Sequence, residues 1–265
     1  MLEKALLIVS DKFHTFATRK DVITKSELYH LLNADDVLLP QSKKIRLIPG
    51  QGFSQTIIDE IITMTKTSKN AHFFDFSLWY EIPKRANKKL THKHMEENIL
   101  VSEPKRTSEN EFIMDILIDE NCEMMRDHQT GLHVQGMLLV EAARQAYLAM
   151  MEKFFMTEEQ GKYYFIFNNL NVDYNRFSFP LPSSIRLTNK KIETFNKKRT
   201  DTLTVLELLQ CGDVSASVTM DVTIMPESRV ANMENRLATQ SVNNYMNSMQ
   251  LNTANYIDYK EANNA

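Results

Sequence analysis

The chain reads as an α+β protein in which one long apolar helix is wrapped by an antiparallel sheet, with a small α/β unit in front. Three observations carry that reading. Between residues 137 and 151, twelve of fifteen residues are apolar, which calls for a helix buried on nearly every side. After it come four runs of strand character, at 163–174, 184–195, 202–210 and 215–225, the last of them (SASVTMDVTI from 215) alternating with a period of two. Before it, residues 1–82 alternate short apolar runs with helical patterns. A single rod set against five or six antiparallel strands is the economical way to bury both.

Composition bounds the function. With 265 residues, 43% hydrophobic and 25% charged, the chain can build a sizeable core. A formal charge of −3 gives no global reason to expect nucleic acid or an anionic membrane as partner. Two cysteines, Cys122 and Cys211, make neither a disulfide framework nor a zinc site, and their scarcity fits a reducing compartment. The first apolar run, residues 5–9, is too short for a secretory or membrane-spanning segment, so a cytoplasmic protein is expected. His14, His30 and His72 are too scattered to suggest a metal site, and no cofactor is expected.

Taken in order, KALLIVS at 4–10 is a buried strand, 24–32 a short helix opened by Thr24-Lys25-Ser26-Glu27, and KIRLI at 44–48 a second strand. The turn Pro49-Gly50-Gln51-Gly52 leads into a helix at 54–66, with Ser54 as N-cap and Ile57, Ile58, Ile61 and Ile62 on one face. This turn follows a strand and precedes a helix but lacks the rest of a phosphate-binding loop, so it reads as a plain turn. Residues 83–93 (PKRANKKLTHK) hold five lysines and arginines and no acid, which marks a solvated basic linker. The main domain then spans 94–226, with strands at 98–102 and 112–118 before the long helix at 134–155. The last segment, 227–265, has nine asparagines and few apolar residues, and reads as a weak helix, a partner-binding arm or disorder.

Chemistry concentrates at the start of the long helix. Its three polar residues, Glu141, Arg144 and Gln145, fall at i, i+3 and i+4 and so share one face. A carboxylate and a guanidinium inside an apolar helix cost several kcal/mol per ion unless paired or open to a cleft. An internal salt bridge satisfies that need, and so does a site. Gly136 lets another group approach the first-turn amides, which suit a developing oxyanion on a thioester carbonyl. His128 and His133, on the loop leading in, are placed to donate or accept a proton, or simply to cap the backbone. Met137, Met150 and Met151 read as core, with an acyl-chain tunnel as the alternative. Arg144, Arg176 and Arg186 are candidate cations for a phosphate.

Asp127-His128, followed by His133-Val134-Gln135-Gly136-Met137-Leu138-Leu139-Val140-Glu141-Ala142-Ala143-Arg144-Gln145, resembles the signature of the A-factor biosynthesis hotdog domain family. Members of that family carry D-H, then H-V-P-G-M, then L-L-E-A-A-R-Q. The run 94–102 is similar to the family's opening strand, and the resemblance covers roughly 90–226. It implies a hotdog fold and an enzyme that joins a β-ketoacyl group from acyl carrier protein to dihydroxyacetone phosphate. Glu141, Arg144, His133 and His128 are then the catalytic set, with Gly136, Met137 and Gln145 binding substrate. Partners would be an acyl carrier protein or coenzyme A thioester and a small phosphorylated acceptor. Some members hold two such repeats and this sequence holds one, so a homodimer would supply the second. A dehydratase or thioesterase on acyl thioesters, or a non-catalytic acyl-binding or dimerisation module, are the rival readings.

Overall fold

The computed structural model describes residues 4–34, 44–127, 130–156, 162–195 and 199–262, with side chains as far as Met249. The first unit is a parallel sheet of β1 (Ala5–Val9), β2 (Val22–Thr24), β3 (Ile45–Pro49) and β4 (Phe74–Asp75), in the order β2-β1-β3-β4. Its connections carry α1 (His14–Ala17), α2 (Lys25–Asn33) and α3 (Gln55–Thr67), with α4 (Ser77–Tyr80) after the last strand. Local sequence sets the helix starts. Thr24 accepts from the Glu27 amide while the Glu27 carboxylate accepts from the Thr24 amide, a complete capping box, and Ser54 accepts from the amide of Ile57. On α3, Ile58 and Ile61 are buried and Ile57 and Ile62 pack around them, against a core that includes Trp79, Phe74 and Leu47.

The second sheet has six antiparallel strands in the order β5-β6-β8-β9-β10-β7. The strands are β5 (Lys105–Arg106), β6 (Glu111–Ile116), β7 (Tyr163–Tyr174), β8 (Ser183–Phe195), β9 (Arg199–Gln210) and β10 (Asp213–Pro226). Short helices α5 (Lys88–Thr91) and α6 (Glu123–Asp127) precede the long helix α7 (Gly136–Phe154), and α8 (Glu227–Ala262) follows the sheet. Twelve of the nineteen α7 residues are buried, and the sheet residues Ile185, Leu187, Leu206, Val218 and Met220 close on them. The expected rod in a curled sheet is the observed arrangement, a hotdog fold. In α8, Val230 is buried, and beyond Ala231 every described side chain is exposed.

Two expectations need correction. The run at 98–102 is not a strand of the sheet. Glu96–Asn98 is a 3-10 turn, and Val101 and Ser102 make isolated bridges to Ile116 and Arg85. Its backbone groups are already engaged: the Leu100 amide donates to the Gln145 side chain, and the Val101 carbonyl accepts from the Ala86 amide. Nor is 83–93 a freely solvated linker. Lys84, Lys88 and Lys89 stay in solvent, but Ala86 and Thr91 are buried and α5 lies on α7. Arg85 turns inward and donates to the carbonyls of Ile99, Leu117 and Phe53. Composition registers five charges here without telling which of them turns in.

The two sheets share packing. Val9, Phe13 and Phe16 of the first unit belong to the same apolar cluster as α7. Gln51, in the Gly-Gln-Gly turn, is buried and bonds the Ile116 and Leu181 carbonyls and the Ile118 amide at 2.9, 3.2 and 2.8 Å. Gly52 has φ +102°, and a Cβ there would lie 2.1 Å from the Ser10 hydroxyl, so only glycine fits this docking turn. Replacing Arg85 with glutamine orphans three carbonyls and should cost about 2–4 kcal/mol in denaturant unfolding, whereas Lys84→Gln should stay within about 0.5 kcal/mol. Equal, small losses would restore the view of this stretch as a linker.

Candidate functional site

Glu141, Arg144 and Gln145 do meet on one face of α7. The Arg144 guanidinium donates through Nε to Glu141 Oε2 at 2.8 Å and through Nη2 to Oε1 at 2.9 Å. Lys93 Nζ adds a third contact to Oε1 at 2.8 Å. The Gln145 side chain is fully buried. Its Nε2 donates to Glu141 Oε1 at 3.0 Å and to the Asn98 carbonyl at 2.8 Å, and its Oε1 accepts from the Leu100 amide at 2.8 Å. Lys93 falls in the basic run 83–93, whose composition marks a linker. Its role there is invisible because the signal lies in a contact with a helix far along the chain.

Burial works against a charge on Glu141. The hydrogen bonds from Arg144, Lys93 and Gln145 outweigh it and bring the carboxyl from an ordinary 4.5 down to about 2. Beside this cluster lies a cavity of about 330 Å³, lined by Lys93, Glu141 and Arg144 together with Met124, Met137, Val140, Phe167 and Leu170. Met137 is thus not core: it is 62% exposed and forms part of the cavity wall. Met150 and Met151 are fully buried beneath the sheet.

The start of α7 is arranged differently from the simplest expectation. A Cβ on Gly136 would lie 2.9 Å from the ring of Tyr174, so the space glycine leaves is taken by that phenol at the end of β7. The N-cap, Gln135, does not cap; its side-chain amide donates instead to the Met124 carbonyl at 3.0 Å. With no side-chain cap, the first-turn amides keep their partial positive charge available. His133 lies on the approaching loop, Nδ1 3.2 Å from the Thr130 hydroxyl, with its ring 5.1 Å from that of Phe177. It does not line the cavity beside Glu141. His128 lies outside the described residues. Arg176 and Arg186 are engaged elsewhere, by Asp213 and Glu207. Among the described residues no cluster of His, Cys, Asp and Glu could hold a metal ion, and no helix is long and apolar enough to cross a membrane.

A buried helix with its polar face turned to such a cavity, inside an antiparallel wrap, defines a hotdog-fold protein. The A-factor biosynthesis hotdog domain model matches residues 79–226, more than half of the chain, and the protein belongs to that family. No curated protein matches it. Among solved structures, a thioesterase from Haemophilus influenzae is similar with 8% identity and a TM-score of 0.37, covering 58% of this chain and 92% of its own. A mutant thioesterase from Pseudomonas aeruginosa is similar with 12% identity and a TM-score of 0.35, covering 48% and 81%.

Two consequences are measurable. The folded carboxyl of Glu141 titrates near 2 and the unfolded one near 4.5, so its contribution is complete above pH 4.5 and fades as pH falls through 2. The difference in unfolding free energy between the wild type and Glu141→Gln should shrink by about 3 kcal/mol across that window. Replacing Gln145 with leucine leaves the Asn98 carbonyl and the Leu100 amide without their partner and should cost about 2–4 kcal/mol by urea unfolding. A neutral result would mean the segment at 98–100 is held by something else.

Proposed function

We propose that the protein is a cytoplasmic acyltransferase that joins a β-ketoacyl group, delivered as a thioester of acyl carrier protein or coenzyme A, to a small phosphorylated acceptor such as dihydroxyacetone phosphate. The observation that carries this reading is the cavity beside α7, where a carboxylate and two cations meet apolar walls in a chain of the A-factor biosynthesis family. Apolar walls suit an acyl chain, and cations suit an anionic co-substrate. In the reaction, the acceptor's hydroxyl oxygen bonds to the thioester carbonyl carbon and the C–S bond breaks. The hydroxyl proton ends on the departing thiolate.

Each demand of that reaction then falls to a residue. Charge building on the carbonyl oxygen is met by the uncapped first-turn amides at Gly136 and Met137. Glu141 stands about 7.5 Å further along the helix axis, a separation suited to a substrate lying along α7. It receives the hydroxyl proton, Arg144 orients it, and Gln145 holds the face in register. The Glu141 carboxyl then gives that proton to the leaving thiolate, since His133 does not line this cavity.

The reading includes a homodimer. At one end of the sheet β5 has two residues, but at the other β7 has twelve, with Tyr164, Leu170 and Tyr174 exposed along it. A long edge strand leaves backbone N–H and C=O groups that invite pairing with another strand. Phe167 and Leu170 belong both to this edge and to the cavity, so a second copy paired here would help close the site.

Purified protein given a β-ketoacyl thioester should release free thiol when dihydroxyacetone phosphate is present and stay silent without it. Release in its absence would make the protein a hydrolase. Retained thioester binding with no release under either condition would make it an acyl-binding module.

A further inference from the structure

Lys93 and Arg144 carry eight N–H protons between them, and Glu141 engages three, one from the lysine and two from the guanidinium. The trio retains one net positive charge. These three are the charged residues in the cavity lining, and its other walls are apolar. The Lys93 and Arg144 side chains are 25% and 31% exposed, so both are reachable from solvent. A guanidinium whose remaining protons meet no partner among the described residues, beside an ammonium, matches a tetrahedral oxyanion, which accepts several charge-assisted hydrogen bonds at once.

We propose that Lys93 and Arg144 form a seat for a phosphate monoester, and that this seat competes with Glu141 for the same two cations, so that the anion's arrival frees the carboxylate to take a proton. The identity of the phosphate's bearer rests on the reading above; the seat itself does not. In the unliganded chain Glu141 is held at about 2 and is too weak a base to draw a hydroxyl proton near neutrality. An anion that draws Lys93 and the outer edge of Arg144 toward itself removes donors from Glu141 and sets a like charge beside it. Both changes raise the carboxylate's affinity for a proton. Such coupling is reciprocal, so a neutral side chain at position 141 must bind the anion more tightly than glutamate does. The device would keep the base silent until an anionic co-substrate is seated, and it gives Lys93 a role beyond neutralising Glu141.

The monoester could belong to the acceptor or be the ribose 3′-phosphate of a coenzyme A thioester donor, since the seat's chemistry suits either. Isothermal titration calorimetry of the full chain with inorganic phosphate tests the seat, with circular dichroism confirming that each variant is folded. Lys93→Met should weaken binding about tenfold, and Glu141→Gln should tighten it about tenfold. Unchanged or weaker binding by a folded Glu141→Gln protein overturns the competition, and unchanged binding by Lys93→Met overturns the seat. Glycerol 3-phosphate and adenosine 3′-phosphate identify the bearer as whichever binds about tenfold tighter than inorganic phosphate. If neither exceeds inorganic phosphate, the seat is not a substrate site and the proposal falls. Calorimetry needs no turnover, so absent thiol release would defeat the acyltransferase reading and leave this result standing.

Discussion

A helix that is apolar all round has to be enclosed all round, and that requirement organises the molecule. The curled sheet covers much of α7, and α5 with the irregular chain up to 102 covers a remaining flank. Gln145 ties that flank down. A fully buried amide is tolerable only with its hydrogen-bonding groups engaged, and those of Gln145 reach Asn98, Leu100 and Glu141. The same clasp fixes where the preceding residues run, and Lys93 is delivered onto the Glu141 carboxylate as a result. Packing and site geometry are therefore one arrangement.

What could be read from the sequence was what depends on near neighbours. The capping box at Thr24, the Ser54 cap and the i, i+3, i+4 trio of Glu141, Arg144 and Gln145 each span less than two helical turns, so spacing dictates contact. The strands after α7 were legible because alternation marks which face is buried, as in β10. Lys93 and Arg85 were not legible. Both sit in a run whose composition resembles a solvated connector, and each is placed by partners distant in the chain. Gly136 was recognisable as a close-approach position, but the group that approaches is Tyr174, which only the fold could reveal. Proximity in sequence groups His133 with Glu141, yet His133 meets Thr130 and does not line the cavity beside Glu141.

The first unit shows how a familiar architecture can be turned to bracing. In open parallel sheets, ligands settle outside the carboxyl ends of the strands where the order reverses, here between β1 and β3. In this chain polypeptide fills that position. Gly52 donates to the Ile118 carbonyl and accepts from the Glu120 amide, while the Gln51 amide donates to Pro180. The turn that superficially suits a nucleotide phosphate thus engages most of its polar groups with the hotdog domain. Arg85 works beside it, joining Phe53 of the first unit to Leu117 and Ile99 of the second.

The charge count around Glu141 separates a structural cluster from a poised one. Arg144 alone grips the carboxylate through two parallel hydrogen bonds, a geometry that already neutralises it. A second cation is then a further partly desolvated charge, and the cavity lining offers no second carboxylate to balance it. For stability the better replacement for Lys93 would be an apolar residue continuing the walls made by Met124 and Phe167. Retaining an ammonium in the lining of an apolar cavity makes physical sense when its missing counter-charge arrives from outside.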